Sequence, residues 1–292
     1  MGEHILKNEV LTVTVSDASA ELCSVLDMSK GERIWTADPS IWNRHAPILF
    51  PFVGRAAGGV YRVGGKEYAM KTQHGFARDI VFDCVEQSET AVRHVLTDTP
   101  QTREIYPFPF RLEVTHELDA DDPRLLHVTW SVRNCGDERM YYAIGGHPGF
   151  LLSDGISKQD CAIRFPGKET LRYFGVGADG LALPDQTHEL QTKDGAVPFQ
   201  TSLYDTWIFE KQGIDAVEIL GPDGRALVTL NCPQFPLLAV WAKENGPFIC
   251  LEPWYGRTDD SGFAGSLEEK PQEQSLEPGE TRVICWSMAF HE

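Results

Sequence analysis

The sequence predicts an all-β protein built as one large antiparallel β-sandwich, and two patterns indicate this class. Apolar and polar residues alternate along several segments, as in Leu11–Val15 and Leu126–Val132, which places one side of each strand in a core. No long segment has the 3.6-residue apolar period of a helix. Because neither a linker nor an internal repeat divides the chain, residues 1–292 are predicted to form a single domain.

Turn residues divide the chain into hairpins and loops. Three short turns each lie between two apolar-rich runs, which is the pattern of a β-hairpin. These turns are Gly64-Gly65, Pro222-Asp223-Gly224 and Asn245-Gly246-Pro247. Three segments rich in Gly, Asp, Ser and Pro show neither the two-residue alternation of a strand nor the 3.6-residue period of a helix, and they are predicted to be loops. They are Ser153–Asp160, Gly175–Thr192 and Thr258–Ser275.

The charge of the chain restricts its partners. A net charge of −17 and a pI near 4.9 oppose binding to nucleic acid or anionic membranes, which need clustered Lys and Arg. The charge does not exclude a small anionic ligand held by a few local arginines. The seven cysteines are scattered, and the N-terminal segment lacks a basic region followed by an apolar stretch. We therefore expect a cytoplasmic protein with free thiols that binds a small molecule.

Two polar motifs follow in the first third of the chain. The apolar run Ile48–Val53 ends in a glycine and Arg55, and an arginine at that place can present several hydrogen-bond donors to a cleft. The segment Gln73–Asp79 places His74 and Arg78 around a glycine turn. Each motif also fits a strand cap or an ordinary surface turn, so neither indicates function by itself.

A histidine and a glutamate occupy more tightly specified positions. His147 follows the apolar run Tyr141–Ile144 among three glycines and Pro148, which restrict the backbone. A histidine held in this way indicates proton transfer. Glu252 ends the run Phe248–Leu251, which is apolar on both sides, so desolvation should raise the pKa of its carboxyl and make it a better base near pH 7. The alternative for Glu252 is a structural ion pair with an arginine.

The sequence predicts neither a metal site nor a nucleotide site. It contains no H-x-H, H-E-x-x-H or thiolate cluster, no G-x-S-x-G elbow and no P-loop. We therefore expect no metal and no cofactor. The remaining histidines stand singly and are interpreted as structural; they are His4, His45, His94, His116, His127, His188 and His291.

In their order along the chain, these segments resemble the aldose 1-epimerase (galactose mutarotase) family, and within it the bacterial LacX-type branch. Each motif is weak alone, but five in the family's order form a specific signal over nearly the whole chain. The resemblance implies a large antiparallel β-supersandwich of the galactose mutarotase type with an open sugar-binding cleft. The five motifs are Gly54-Arg55, His74–Arg78, Gly145–Pro148, Asp205–Phe209 and Leu251–Trp254.

The resemblance also implies a role for each matching residue. Glu252 matches the family's general base and His147 its general acid. His74 and Arg55 match positions that bind and orient the sugar, and Asp205 matches a carboxylate that accepts hydrogen bonds from sugar hydroxyls. The implied activity is interconversion of the α and β anomers of an aldose, without metal or cofactor, in a monomer or homodimer.

Two further residues bear on the identity of the sugar. Trp254 offers an aromatic face on which a sugar can stack. The Phe-Ala-Arg that ends in Arg78 stands where galactose mutarotases commonly have glycine, and it also resembles the hexose-6-phosphate mutarotase branch. Arg78 is therefore predicted to face an anionic substituent if the sugar is phosphorylated. A second departure is Gly-Gly-His-Pro at His147, where many members have Asn-His followed by an aromatic residue.

Two other functions fit the same residues. A glycoside hydrolase would use Glu252 and Asp205 as two carboxyls about 5–10 Å apart, and it would leave His147 without a necessary task. A non-catalytic carbohydrate-binding sandwich would need aromatic and hydrogen-bonding groups but no acid–base pair.

Overall fold

The computed structural model describes residues 2–152 and 155–291, and their regular secondary structure is mostly β-strand. Within these ranges there is one α-helix, α1 (Pro100–Ile105), and no helix is long and apolar enough to cross a membrane. Five short 3-10 helices are Ala57–Gly59, Ala77–Asp79, Lys158–Asp160, Thr201–Asp205 and Leu267–Glu269. The strands in chain order are β1 Glu3–Lys7, β2 Leu11–Ser16, β3 Leu22–Asp27, β4 Gly31–Glu32, β5 Ile48–Leu49, β6 Val60–Val63, β7 Lys66–Ala69, β8 Asp83–Gln87, β9 Ala91–Thr97, β10 Phe110–Leu118, β11 Leu125–Asn134, β12 Met140–Tyr142, β13 Ile144–Gly146, β14 Gly149–Leu151, β15 Ala162–Arg164, β16 Thr170–Tyr173, β17 His188–Gln191, β18 Ala196–Pro198, β19 Trp207–Glu210, β20 Ala216–Leu220, β21 Ala226–Asn231, β22 Leu237–Trp241, β23 Phe248–Tyr255, β24 Gln274–Leu276 and β25 Thr281–Phe290.

Three sheets contain most of these strands. The largest has nine strands in the order β18-β15-β20-β21-β25-β11-β10-β9-β8, so β25 pairs with both β21 and β11. A second runs β19-β22-β23-β13-β5, with β14 also paired to β23, and a third runs β1-β2-β3-β4. Strand neighbours in these sheets are antiparallel. The predicted antiparallel all-β class is therefore confirmed.

The predicted hairpins are present, while two of the predicted loops contain strands. Strands β6–β7, β20–β21 and β22–β23 pair across the three predicted turns. The segment Gly175–Thr192 includes β17, and Thr258–Ser275 includes the first residues of β24, because both strands are short and find their partners elsewhere in the chain. Of the predicted loop Ser153–Asp160, residues 153 and 154 lie outside the described residues, and its end forms a 3-10 helix.

The alternation predicted for β11 corresponds to its packing. Leu126, Val128, Trp130 and Val132 are all buried, and the residues between them are partly exposed. Trp130 packs against Trp286 of the neighbouring β25, with 5.6 Å between ring centroids. Burying each large apolar side chain contributes roughly 1.5–3 kcal/mol. This face of the nine-stranded sheet therefore forms part of the core.

Strand β23 differs from β11 because seven consecutive residues are buried. It pairs with β22 along one edge and with β13 and β14 along the other, and the burial of consecutive residues shows that both of its faces are covered. The sequence predicted this environment from the apolar residues on both sides of the strand. Any polar side chain on β23 is consequently removed from water, and Glu252 is such a residue.

The two glycines before His147 allow close packing against tryptophan rings. Gly145 pairs with Trp254 across β13 and β23, and a Cβ at Gly145 would lie 2.5 Å from the Trp254 indole. A Cβ at Gly146 would lie 2.8 Å from the Trp286 indole. Larger residues cannot be accommodated without movement of these rings, so the glycines fix the position from which His147 projects.

Candidate active site

A cavity of about 310 Å³ lies beside the end of β23. Its volume falls in the range of roughly 300–1,000 Å³ that is usual for small-molecule sites. Three tryptophans give it apolar walls, and acid–base and cationic side chains reach into it. The lining residues are Trp42, Gly54, Gln73, His74, Arg78, His147, Val176, Gly180, Thr206, Trp241, Lys243, Glu252, Trp254 and Thr258.

Glu252 is the carboxylate of this cavity among the described residues. It is 1% exposed, and its Oε2 has no hydrogen-bond partner. Burial raises the pKa of this carboxyl well above its usual value, and the nearby Trp254 indole opposes the shift. The predicted desolvation is therefore present, and the alternative of an ion pair between Glu252 and an arginine is not observed.

His147 lies directly against Glu252. Its Nε2 is 3.3 Å from the Glu252 Oε2, and its Nδ1 has no hydrogen-bond partner. Burial lowers the pKa of His147 to about 3, so the imidazole is neutral at pH 7. The Trp42 ring lies 5.0 Å from the imidazole centroid, and Trp241 meets it edge-on at 5.6 Å. The histidine is thus held by aromatic packing and leaves one nitrogen facing the carboxyl.

Burial favours the uncharged form of both groups, and in that form the pair holds one proton. That proton lies on Glu252 when the pair is neutral and on His147 when the pair is ionic. The two forms differ by transfer of one proton between atoms 3.3 Å apart. One group can therefore donate a proton while the other accepts one, which is the requirement for general acid–base catalysis.

His74 forms a second wall of the cavity and is locked to Gly54. The His74 N–H donates to the Gly54 carbonyl at 2.7 Å, and the Gly54 N–H donates to His74 Nδ1 at 3.0 Å. Since Nδ1 accepts, the proton of the neutral ring is on Nε2. This nitrogen lies 2.8 Å from the amide nitrogen of Gln73, which is also a donor, so the two form a hydrogen bond only when the amide turns its oxygen toward the ring. Burial lowers the pKa of His74 well below its usual value, so it is a neutral hydrogen-bonding group. Its φ of 66° is uncommon outside glycine and is typical of functional positions.

Two cationic side chains line the cavity of this strongly acidic chain. Arg78 is half-buried, and its Nε has no hydrogen-bond partner, while Lys243 is exposed at the cavity. Arg55 is exposed beside them and donates to Gln73 Oε1 at 3.4 Å, but it does not line the cavity. An anionic substituent on a bound ligand would find positive charge here.

The structure does not bring Asp205 into the cavity. Asp205 is exposed at the end of the 3-10 helix Thr201–Asp205, and the next residue, Thr206, lines the cavity instead. The role of Asp205 in holding sugar hydroxyls stays a prediction. Arg257, three residues after the Leu-Glu-Pro-Trp segment, is 3% exposed and donates to Glu210 and Asp260, so its charge is used within the protein.

Several residues of the cavity were not predicted from the sequence. Trp42 lies in a polar segment without strand periodicity, and a large aromatic residue there is a signal that could have suggested a ligand wall. The Trp35 indole N–H donates to the Trp42 carbonyl at 2.7 Å and helps to hold this segment. Trp241 ends β22 and Lys243 follows it, and neither position shows a local pattern that distinguishes it from an ordinary strand end.

Cys250 adds a third metal-binding atom to the pair. One such atom from each of His147, Cys250 and Glu252 lies within 4.8 Å of the others. Burial raises the pKa of the Cys250 thiol well above its usual value, whereas a metal binds the thiolate. The apolar surroundings therefore favour an acid–base site over a metal site at this place.

The chain is similar to known proteins over nearly its full length. The family model described as aldose 1-epimerase matches residues 3–284. Protein LacX (chromosomal) of Lactococcus lactis subsp. lactis is 29% identical over 287 residues, which cover 94% of this chain and 95% of that protein. A galactose mutarotase related enzyme from Lactobacillus acidophilus superposes with a TM-score of 0.93 and 31% identity, covering 100% of this chain and 98% of the other. A galactose mutarotase-like protein from Lactobacillus casei superposes with a TM-score of 0.88 and 29% identity, covering 99% of this chain and 100% of the other. The predicted resemblance to the LacX-type branch and the supersandwich fold are confirmed.

Proposed function

The chain belongs to the aldose 1-epimerase family, and we propose that it interconverts the α and β anomers of an aldose by acid–base ring opening and closing at C1. The single observation that carries this proposal is the Glu252–His147 pair, 3.3 Å apart at the cavity. Ring opening exchanges protons at two oxygens, O1 and the ring oxygen, and both are bonded to C1. Groups that serve two such close oxygens must themselves be adjacent, as these two are.

The proton balance of the reaction matches the proton content of the pair. Glu252 as carboxylate takes the proton of the C1 hydroxyl, and His147 as imidazolium gives its proton to the ring oxygen as the C1–O5 bond breaks. The product is the open aldehyde with a protonated Glu252 and a neutral His147. Rotation about C1–C2 and closure on the other face return both protons. Burial stabilises the uncharged pair, so the surroundings favour the opening step.

The remaining cavity residues fit recognition of a sugar. Trp42, Trp241 and Trp254 offer aromatic faces, and His74 offers a neutral donor fixed by Gly54. Such a mixture of apolar walls and few polar groups is usual for a small-molecule site. The glycoside hydrolase alternative is less well supported, because Glu252 is the carboxylate lining the cavity among the described residues and Asp205 is not beside it.

A phosphorylated aldose is a second candidate, and one observation favours it. Arg78 and Lys243 place two cationic groups at the cavity of a chain whose net charge is −17. Guanidinium groups bind phosphate through several parallel hydrogen bonds. The acid–base step would be unchanged, since only the substituent remote from C1 differs.

The experiment that tests the proposal follows anomer exchange by NMR in a panel of free aldoses and their 6-phosphates. We expect exchange faster than the uncatalysed rate for at least one sugar of the panel. A kcat/KM more than tenfold higher for the phosphorylated form would identify the second candidate. Binding of sugars without faster exchange would show a carbohydrate-binding protein, and release of reducing sugar from aryl glycosides would show a hydrolase.

The pH dependence of exchange follows from the one proton of the pair. Below the pKa of His147, about 3, both groups hold a proton and no base is left. Above the raised pKa of Glu252, both have lost their protons and no acid is left. We expect kcat/KM, after subtraction of the uncatalysed rate, to stay level down to about pH 4 and to fall on the alkaline side. An acidic limb near the usual histidine pKa would contradict the assignment.

A further inference from the structure

A second cluster of metal-binding side chains lies outside the cavity, where β1 meets β8 and β9. His4, Cys84 and His94 each present one metal-binding atom, and these atoms lie within 4.8 Å of one another. The Asp17 carboxylate joins them, with Oδ1 2.7 Å from His4 Nε2 and 3.3 Å from His94 Nε2. We call these four residues the β1–β9 cluster. Two imidazoles, a thiol and a carboxylate form a donor set typical of Zn²⁺.

The backbone holds the four side chains together. Cys84 and His94 are direct cross-strand partners, with a bulge beginning after Cys84. The Phe82 N–H donates to the Asp17 carbonyl at 2.8 Å, which fixes the end of β2 beside β8. The ring centroids of His4 and His94 lie 5.1 Å apart. The cluster is thus formed by three segments that are separately anchored.

The hydrogen bonds of His4 leave a lone pair facing a carboxylate. Its Nδ1 lies 2.7 Å from Gln87 Oε1, an acceptor, so Nδ1 carries the ring proton. In the neutral ring, Nε2 then presents its lone pair to Asp17 Oδ1 at 2.7 Å. Two lone pairs at this distance repel unless a cation lies between them. One candidate is a second proton, because the bonds to Gln87 and Asp17 outweigh burial and raise the pKa of His4; the other is a metal ion that displaces this proton. The bond from Nδ1–H to a carbonyl oxygen is also the usual support of a metal-binding histidine.

His94 provides an independent indication of a ligand. It is completely buried, and neither of its ring nitrogens has a hydrogen-bond partner, although Nε2 points toward Asp17 Oδ1. Buried polar groups are nearly always satisfied, so this one requires an explanation. Burial lowers the pKa of His94, which favours the neutral imidazole that a metal binds.

We propose that the β1–β9 cluster is a structural site for a divalent cation of the Zn²⁺ class. Tetrahedral bonds of about 2.0–2.3 Å set the ligand atoms about 3.3–3.6 Å apart. The ligand atoms of His4, Cys84 and His94 lie within 4.8 Å of one another, so the most distant of them moves inward by about 1 Å on binding. Burial also raises the pKa of the Cys84 thiol, but this cysteine is partly exposed, unlike Cys250, and on binding it releases its proton to solvent while His4 keeps its Nδ1 proton on Gln87. The bound ion would join β1 of the four-stranded sheet to the β8 edge of the nine-stranded sheet. This site is independent of the sugar chemistry.

The test uses the untagged chain, stripped with a chelator and titrated with Co²⁺ and then Zn²⁺. We expect one equivalent of Co²⁺ with thiolate charge-transfer absorption, displaced by Zn²⁺, and a higher Tm with Zn²⁺ than without it. Cys84→Ser should abolish the absorption and the rise in Tm, and His4→Gln should weaken binding at least about tenfold. Both positions are partly exposed, and circular dichroism verifies that the variants fold.

Two control variants locate the ion. Cys285→Ser changes an exposed cysteine elsewhere, and Glu252→Gln changes the metal-binding group of the cavity. Both should retain the absorption and the rise in Tm. The proposal is overturned if micromolar wild-type protein binds neither ion, because a proton then lies between His4 and Asp17. It is equally overturned if the absorption persists in Cys84→Ser or disappears in Glu252→Gln.

Discussion

Replacing Glu252 with Gln is expected to lower catalysed anomer exchange by about 10²–10⁴, because the amide can no longer take the proton of the C1 hydroxyl. The substitution keeps the size of the side chain in a position that is 1% exposed, so the packing of β23 should be preserved. Sugar binding should remain, since the aromatic walls and His74 are unchanged. Polarimetry of a freshly dissolved α-anomer measures the rate, and NMR titration measures binding.

His147→Asn should give a loss of the same order, since it removes the other proton carrier. The double variant should lose little more than either single variant, because groups that act as a unit are not additive. Glu244→Gln is the matched control, as it makes the same change at an exposed position near Lys243. If Glu252→Gln and His147→Asn both keep the wild-type rate, the assigned roles are wrong.

The second large effect concerns stability. Lys270→Met is expected to lower the free energy of unfolding by about 3–5 kcal/mol, because it leaves two buried carboxylates without their cation. Lys270 Nζ lies 3.4 Å from Asp259 Oδ1 and 3.3 Å from Glu273 Oε2, and it is 4.8 Å from the centre of the Phe52 ring. Asp259 follows Thr258, which lines the cavity. Urea unfolding measures the change.

The loss should depend on pH in a defined direction. Burial raises the pKa of Glu273 to about 7 even with Lys270 present, and removal of the cation raises it further. Protonation of Glu273 relieves part of the uncompensated charge, so the loss should be larger at about pH 8 than at about pH 5. Lys66→Met, at an exposed position, is the control and should change the unfolding free energy by about 0.5 kcal/mol or less. A loss below about 1 kcal/mol for Lys270→Met at pH 8 would contradict the argument.

The strands could be predicted because their periodicity is local. Alternation along β11 depends only on neighbouring residues, and the hairpin turns need only the residues at the turn. The apolar run on both sides of β23 likewise indicated that Glu252 would be desolvated. The short strands β17 and β24 were missed, because their own sequences carry no period. In addition, β24 pairs with β12, far earlier in the chain, whereas β17 pairs with the preceding strand β16.

The candidate site could be predicted only in part. Five of the seven proposed residues line the cavity, namely His74, Arg78, His147, Glu252 and Trp254. The order of motifs identifies such positions, but it cannot give the direction of a side chain. At Asp205 the following residue, Thr206, has a φ of 65°, and it is Thr206 that faces the cavity.

His94 stands singly in the sequence and was interpreted as structural, but the sequence did not predict its surroundings. His94 is fully buried, and its neighbours His4 and Asp17 come from the start of the chain. Side chains that are distant in sequence become neighbours only through sheet pairing and packing. Spacing motifs such as H-x-H detect a metal site only when its ligands are close in sequence, so this cluster gave no signal.

The position of β25 has a consequence for biosynthesis. It is the last described strand, Thr281–Phe290, yet it separates β11 from β21 near the middle of the largest sheet. Until it is added, β8–β11 and the group around β20 and β21 form two partial sheets, each with an unpaired edge. Joining strands so distant in sequence is slow. Until β25 has been synthesised and has paired with both strands, the growing chain presents two open edges that can aggregate.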